Sequence, residues 1–292
     1  MIKRNYGKFT IHAAIIVALF TLMLNLGCGG GQNGSDQSLT IKGSDTMVHL
    51  VSTWAEDFMN ANEEYQVSVT GGGSGTGIAA LINGTTEICA ASRSMKPNEI
   101  DLASKQGKEP VEFDVALDGI ALVVHPDNPV DVLTLDQLKQ IFTGEVTNWQ
   151  EFGGPDQDVY VLSRESSSGT YVFFQEHVLE KQDYTNRARL MPATSAIIQS
   201  ISEDKWSIGY VGLGYAAEAG DKVKVISVKE TDDSEPVEPS EETVRLGTYS
   251  IARPLHFYTI GEPEGLAKQF IDYCLSEEGQ KTVVQTGYVA VQ

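Results

Sequence analysis

Basic residues are scarce in this chain. Its 292 residues hold 21 Lys+Arg against 40 Asp+Glu, a formal net charge of −19. Nucleic acids need a basic footprint, so none is expected as a partner. Three cysteines cannot build a disulfide framework. No apolar run is long enough for a comfortable membrane span. A Walker-type loop needs Gly-Lys-Ser/Thr, yet Gly43 to Met95 contains no lysine. No Gly-x-Ser-x-Gly elbow surrounds Ser74 or Ser168. His12, His49, His125, His177 and His256 form no His-x-x-x-His pair and no cysteine joins them, so no metal site is expected. Gly75-Thr-Gly77-Ile-Ala-Ala80 matches only a loose dinucleotide fingerprint, and no cofactor is expected.

What is present is an ordinary globular composition, 41% hydrophobic and 21% charged, at a length that suggests two domains. Short apolar strands alternate with amphipathic helices. Leu39–Lys42, Gln66–Thr70, Glu87–Ala91, Gly119–His125, Val159–Leu162, Ile208–Val211 and Val223–Val228 read as strands. Met47, Leu50, Val51, Trp54 and Phe58 recur at helical spacing, and 135–142, 170–179 and 267–274 read as further helices. This alternation implies an α/β protein with mixed, mostly parallel sheets flanked by helices. The acidic stretch Lys229–Glu242 reads as a solvated loop.

The N-terminus has the form of an export signal. Lys3, Arg4 and Lys8 precede an apolar run over 13–24, then Gly27-Cys28 and a Gly-, Asn- and Ser-rich stretch to Ser38. It resembles a bacterial lipoprotein signal, with Asn25 where that pattern favours leucine. The expectation is a signal peptide over 1–27, lipidation of Cys28, and a flexible tether over 28–38. Cleavage would remove three basic residues and no acidic ones. Cys89 and Cys274 would then lie in a disulfide-permissive compartment, either paired or as two buried thiols.

Three segments share one local grammar: a strand end, small hydroxyl or glycine residues, then an apolar-periodic helix. They are Gly43-Ser44-Asp45-Thr46, Gly73-Ser74-Gly75-Thr76-Gly77 and Ser166-Ser167-Ser168-Gly169-Thr170. A helix start offers free backbone N–H groups and partial positive charge, which suits an anion. Any one of them alone is ordinary Ser/Thr capping. Three in one chain, with Arg93 and Arg164 at strand ends nearby, point to an oxyanion site.

In order along the chain, these segments resemble the phosphate-binding proteins of phosphate-specific ABC importers, a branch of the periplasmic solute-binding superfamily. The resemblance runs through Ile41-Lys-Gly-Ser-Asp-Thr-Met, Val67-Ser-Val-Thr-Gly-Gly-Gly-Ser-Gly-Thr-Gly, Ala90-Ala-Ser-Arg, Leu117-Asp-Gly-Ile-Ala-Leu-Val-Val-His-Pro, Ile141-Phe-Thr-Gly, Arg164-Glu-Ser-Ser-Ser-Gly-Thr and Ile208-Gly-Tyr-Val-Gly. It implies a type II two-lobe fold with the ligand in a cleft between lobes. Lobe I is expected over 39–117 and 251–292, and lobe II over 118–250. It also implies a non-enzymatic, monomeric receptor outside the cytoplasm, anchored to the membrane by lipid. That receptor would hand inorganic phosphate to ABC permease subunits.

The expected phosphate-binding residues are Ser44, Asp45, Thr46, Ser74, Arg93, Asp118, Arg164, Ser168, Gly169 and Thr170. The best-known members carry aspartate where Arg93 stands, so another carboxylate, Asp118 or Asp45, is expected to accept the phosphate proton that sulfate lacks. The rival readings are a receptor for sulfate or molybdate, and a secreted phosphatase on the same scaffold. Charge-assisted hydrogen bonds of ~1.5–3 kcal/mol each could together exceed the ~8 kcal/mol that micromolar affinity requires.

Overall fold

The computed structural model describes residues 37–291, so the expected signal peptide, Cys28 and most of the tether lie outside it. Alternation sets the first strand, β1 (Ser38–Gly43): Leu39 and Ile41 are buried while Thr40 and Lys42 are half-buried. Helix α1 (Val48–Ala61) buries Leu50, Val51, Trp54 and Phe58 on one stripe. The chain continues through β2 (Gln66–Thr70), α2 (Ser74–Ile82), β3 (Ile88–Ala91) and α3 (Pro97–Lys105). Strand β4 (Pro110–Val124) follows, then β5 (Val132–Thr134), α4 (Leu135–Thr143), β6 (Tyr160–Arg164), α5 (Gly169–His177) and β7 (Arg189–Met191). The remainder is α6 (Thr194–Glu203), β8 (Ser207–Gly212), α7 (Leu213–Ala219), β9 (Lys224–Lys229), α8 (Glu241–Arg245), β10 (Ala252–Ile260), α9 (Gly265–Leu275) and α10 (Glu277–Gln285).

The strands join in the order β2-β1-β3-β10-β4-β8-β6-β7, with β9 pairing β4 and β5. Pairs β1–β2, β1–β3, β6–β7, β6–β8 and β5–β9 are parallel. Antiparallel pairing is concentrated at the centre, where β4 meets β10, β8 and β9 and β10 meets β3.

Strand β4 explains the layout. Its first part, to Gly119, pairs with β10, and Ile120 onward pairs with β8. Val115 and Ala116 pack in a core with Trp54, Phe58, Phe257 and Phe270. Ile120, Leu122 and Val124 pack in another with Phe142, Phe174, Tyr210 and Ile251. One strand is thus shared by two cores, and Asp118 stands opposite Arg253 in the register between them.

Two cysteines are resolved as free, buried thiols: Cys89 on β3 and Cys274 on α9 belong to different core clusters. Of the two alternatives expected for them, the structure shows two buried thiols in separate clusters rather than a disulfide. Burial pushes both thiols well above the ordinary cysteine range. No helix among the described residues is long and apolar enough to cross a membrane.

Candidate functional site

Three strand-to-helix corners meet at one place. Ser44 donates its backbone N–H to Ala90 O at 2.8 Å, and Gly73 donates to Gly43 O at 2.9 Å. These bonds set the ends of β1, β2 and β3 side by side. Gly75 N–H then donates to Ser167 O at 3.0 Å, bringing the start of α2 against the loop before α5.

A cluster of buried hydroxyls results. Thr46 Oγ1 and Thr170 Oγ1 lie 2.6 Å apart, although 124 residues separate them. Ser44 Oγ donates to Ser92 Oγ at 2.8 Å, and Ser74 Oγ lies 3.3 Å from the same oxygen. Ser92 N–H donates to Ser74 Oγ at 3.0 Å, which leaves that hydroxyl its own hydrogen to give. Gly169 packs directly on this group: a Cβ there would stand 2.3 Å from Ser74 Oγ and 2.7 Å from Ser92 Oγ. The first N–H groups of α2 and α5, those of Ser74, Gly169 and Thr170, have no acceptor inside their helices and carry the positive end of the dipole. Ser168 caps α5 by accepting from Tyr171 N–H at 3.4 Å.

Arg253 supplies the charge. Its Nη2 donates to Thr170 Oγ1 at 2.9 Å and to Asp118 Oδ2 at 2.9 Å. Its Nη1 donates to Ser92 O at 2.6 Å, and its Nε lies 3.3 Å from Asp118 Oδ2. Asp118 Oδ1 accepts from Leu213 N–H at 2.9 Å. Both side chains are essentially inaccessible. Burial pushes the Asp118 carboxyl up and the Arg253 guanidinium down, while their contact pulls each back toward its charged form. Close packing continues beneath: a Cβ on Gly212 would stand 2.8 Å from Thr46 Cγ2 and 3.1 Å from Asp118 Oδ1.

Among the residues expected from sequence, Ser44, Thr46, Ser74, Asp118, Ser168, Gly169 and Thr170 come together here. The other three bond elsewhere. Arg164 donates to Thr194 Oγ1 at 2.7 Å, Pro192 O at 3.1 Å and Met191 O at 3.2 Å, and pairs with Asp45 Oδ2 at 3.1 Å. Asp45 Oδ2 also accepts from Thr194 N–H at 2.7 Å. Arg93 holds Glu99 through both Nη atoms, at 2.8 and 2.7 Å, and reaches Ser94 O at 2.9 Å.

Ser92 and Arg253 were missed. Ser92 had a signal in its place beside Arg93 after β3. Arg253 had a fainter one: an arginine early in an otherwise apolar, aromatic strand, Leu255-His-Phe-Tyr-Thr-Ile. Away from the cluster, Glu112, Asp114 and His256 bring metal-ligand-type atoms within 4.8 Å of one another, with His256 Nδ1 2.8 Å from Asp114 Oδ1.

The model of the PBP superfamily domain matches residues 30–278. The phosphate-binding protein PstS of Bacillus subtilis is 35% identical over 265 residues, covering 89% of this chain and 83% of that protein. The phosphate-binding protein PstS of Pseudomonas aeruginosa is 32% identical over 274 residues, covering 88% and 84%. Among solved structures, a phosphate ABC transporter substrate-binding protein from Clostridium perfringens, with bound phosphate, superposes with a TM-score of 0.79 at 33% identity. It covers 87% of this chain and 100% of that one. An ABC-type phosphate transport receptor from Vibrio cholerae gives 0.69 at 28% identity, covering 86% and 99%.

Proposed function

The chain belongs to the PBP superfamily and, within it, to the phosphate-binding proteins, and from that premise we propose that it captures inorganic phosphate for an ABC phosphate importer. The observation that carries the reading is the meeting of Thr46, Ser74 and Thr170 around Arg253, from three corners far apart in the chain. A tetrahedral oxyanion would receive hydroxyl hydrogens from Thr46, Ser74 and Thr170 and N–H groups from α2 and α5. Arg253 would lend its guanidinium beside Thr170, with its charge shared with Asp118. Ser44 and Ser92 orient Ser74. Arg164 and Asp45 act at the margin, tying the first corner to α6, and Arg93 braces the loop after β3.

Asp118 is the proposed acceptor of the phosphate proton. It already takes bonds from Arg253 and Leu213 N–H, yet a carboxylate has about four acceptor positions. Sulfate, which has no proton, would set an unpaired oxygen against it. Asp45 is 18% exposed and is tied through Oδ2 to Arg164 and Thr194 N–H, at the edge of the cluster rather than within it.

The lobes are proposed as 39–117 with 251–292, and 118–250, closing as a hinge about β4 and β10. The receptor acts outside the cytoplasm as a monomer, held to the membrane through lipid on Cys28 and a tether over 28–38. It delivers phosphate to permease subunits and has no catalytic role.

Titration calorimetry tests this reading. Phosphate should bind one-to-one at micromolar Kd or tighter, with sulfate and molybdate weaker by about 100-fold or more. Asp118→Asn should narrow the gap between phosphate and sulfate. Equal affinity for all three anions, or turnover of p-nitrophenyl phosphate with or without divalent metal, would refute it.

A further inference from the structure

A cavity of about 350 Å³ opens beside the hydroxyl cluster, between the loop after β3, helix α5 and strand β10. Ser44, Thr46, Ser74, Ser92, Ser168 and Thr170 do not line it; Arg253 is the wall it shares with the cluster. The proposed phosphate role therefore leaves this space unused.

Its chemistry is uneven in an informative way. Met95, Pro97, Phe173 and Pro254 give it an apolar surface, while Arg93 and Lys96 stand on one side of it. Arg93 is only 7% exposed, and its Nη atoms are taken by Glu99 and Ser94 O. Its Nε is buried and has no hydrogen-bond partner. Buried N–H groups are almost always paired, and this one belongs to a residue that lines the cavity. Exposed Glu176 also lines the space, and its charge opposes a ligand with a second negative group. An inorganic oxyanion would satisfy the cations but leave the apolar walls without contact.

We propose that this cavity binds a small organic monocarboxylate. The carboxylate would accept from Arg93 Nε–H and face the Lys96 ammonium, and the carbon body would lie against Phe173 and the two prolines. The site stands independently of the phosphate reading, because none of the hydroxyl groups takes part.

Benzoate is the probe, titrated into the protein with and without saturating inorganic phosphate and followed by calorimetry and by the Met95 methyl resonance. One saturable site is expected in both states, at a Kd of about 1 mM or tighter. Formate, which has the charge without the carbon body, should bind at least about tenfold more weakly. Lys96→Gln should weaken benzoate by about fivefold while leaving phosphate affinity within about twofold, because the phosphate reading assigns Lys96 no part. Arg93→Lys, which keeps the charge and removes the Nε–H, should weaken benzoate as well. Four results would each overturn the assignment: no saturation by roughly 50 mM benzoate, displacement of benzoate by phosphate, formate binding as well as benzoate, or unchanged benzoate affinity in both variants.

Discussion

Replacing Gly169 by alanine separates two kinds of effect. Helix propensity alone favours alanine over glycine by up to about 1 kcal/mol. The site predicts the opposite for ligand binding. The added Cβ would stand 2.3 Å from Ser74 Oγ, 2.7 Å from Ser92 Oγ and 3.0 Å from Ser74 Cβ. Ser74 cannot swing aside freely, because its oxygen accepts from Ser92 N–H and the residue is fully buried. Such overpacking costs roughly 1–3 kcal/mol. That cost falls on the arrangement in which α5 sits against α2, and the proposed hinge, if it opens there, would relieve it. Phosphate affinity should therefore fall roughly 5- to 150-fold, at about 1.4 kcal/mol per tenfold. The melting temperature without ligand should stay near that of the wild type. At a phosphate concentration of about 1,000 times the wild-type Kd, ligand stabilises by ~4 kcal/mol, and a hundredfold weaker variant keeps only about 1.4 kcal/mol of this. Calorimetry and thermal melts with and without phosphate measure both quantities. Wild-type affinity in Gly169→Ala would refute the placement of α5 against Ser74 and Ser92 in the bound state.

The ion pair at the β4–β10 crossing should be asymmetric in its response. Arg253→Met leaves Asp118 buried and uncompensated and should cost about 3–5 kcal/mol of stability, while the double change Arg253→Met with Asp118→Leu should recover much of it without restoring phosphate binding; denaturant melts and phosphate titration decide. Glu99 gives a pH effect. Burial works to raise its carboxyl, but bonds from Arg93 and from Lys96 N–H outweigh this and hold it below its ordinary value. Its folded pKa is depressed, so the stability it contributes is present above the unfolded pKa and is lost as pH falls through the folded one. Glu99→Gln should thus be destabilising at neutral pH and converge with wild type in acid; parallel stability profiles from pH 7 to pH 3 would contradict this. Cys89 and Cys274, buried and with thiols pushed up, should resist alkylation in the native protein and both react once it is unfolded.

Local pattern made much of the fold legible. Strands with alternating or continuous apolar residues, such as β1 and the second half of β4, and helices with one buried stripe, such as α1, carry their structure in their own periodicity. Strand β10 and helix α6 carry that signal too and went unread, whereas α3 and α10 lack it. Helix α3 points Ile100 and Leu102 into solvent and buries only Ala103, and α10 buries Gly279, Gln280 and Thr282 beside Val283. Their stability comes from caps and from packing partners elsewhere, which no short window contains.

The site divides along the same line. Ser44, Thr46, Ser74, Ser168, Gly169 and Thr170 could be named as candidates because a hydroxyl or glycine at a helix start has a meaning fixed by the few residues around it. Which cation they share was not readable. Arg93 and Arg164 sit beside the motifs in sequence, but each finds nearer acceptors, Glu99 in one case and Asp45, the Met191 and Pro192 carbonyls and Thr194 Oγ1 in the other. The charge that reaches Thr170 comes from Arg253, 83 residues away. Only the antiparallel register of β10 on β4, which sets Arg253 opposite Asp118, decides that. Helix starts and strand periods are short-range properties that a chain carries with it. The partner of a buried charge is a long-range property, settled by whichever strands the packing of two cores brings together.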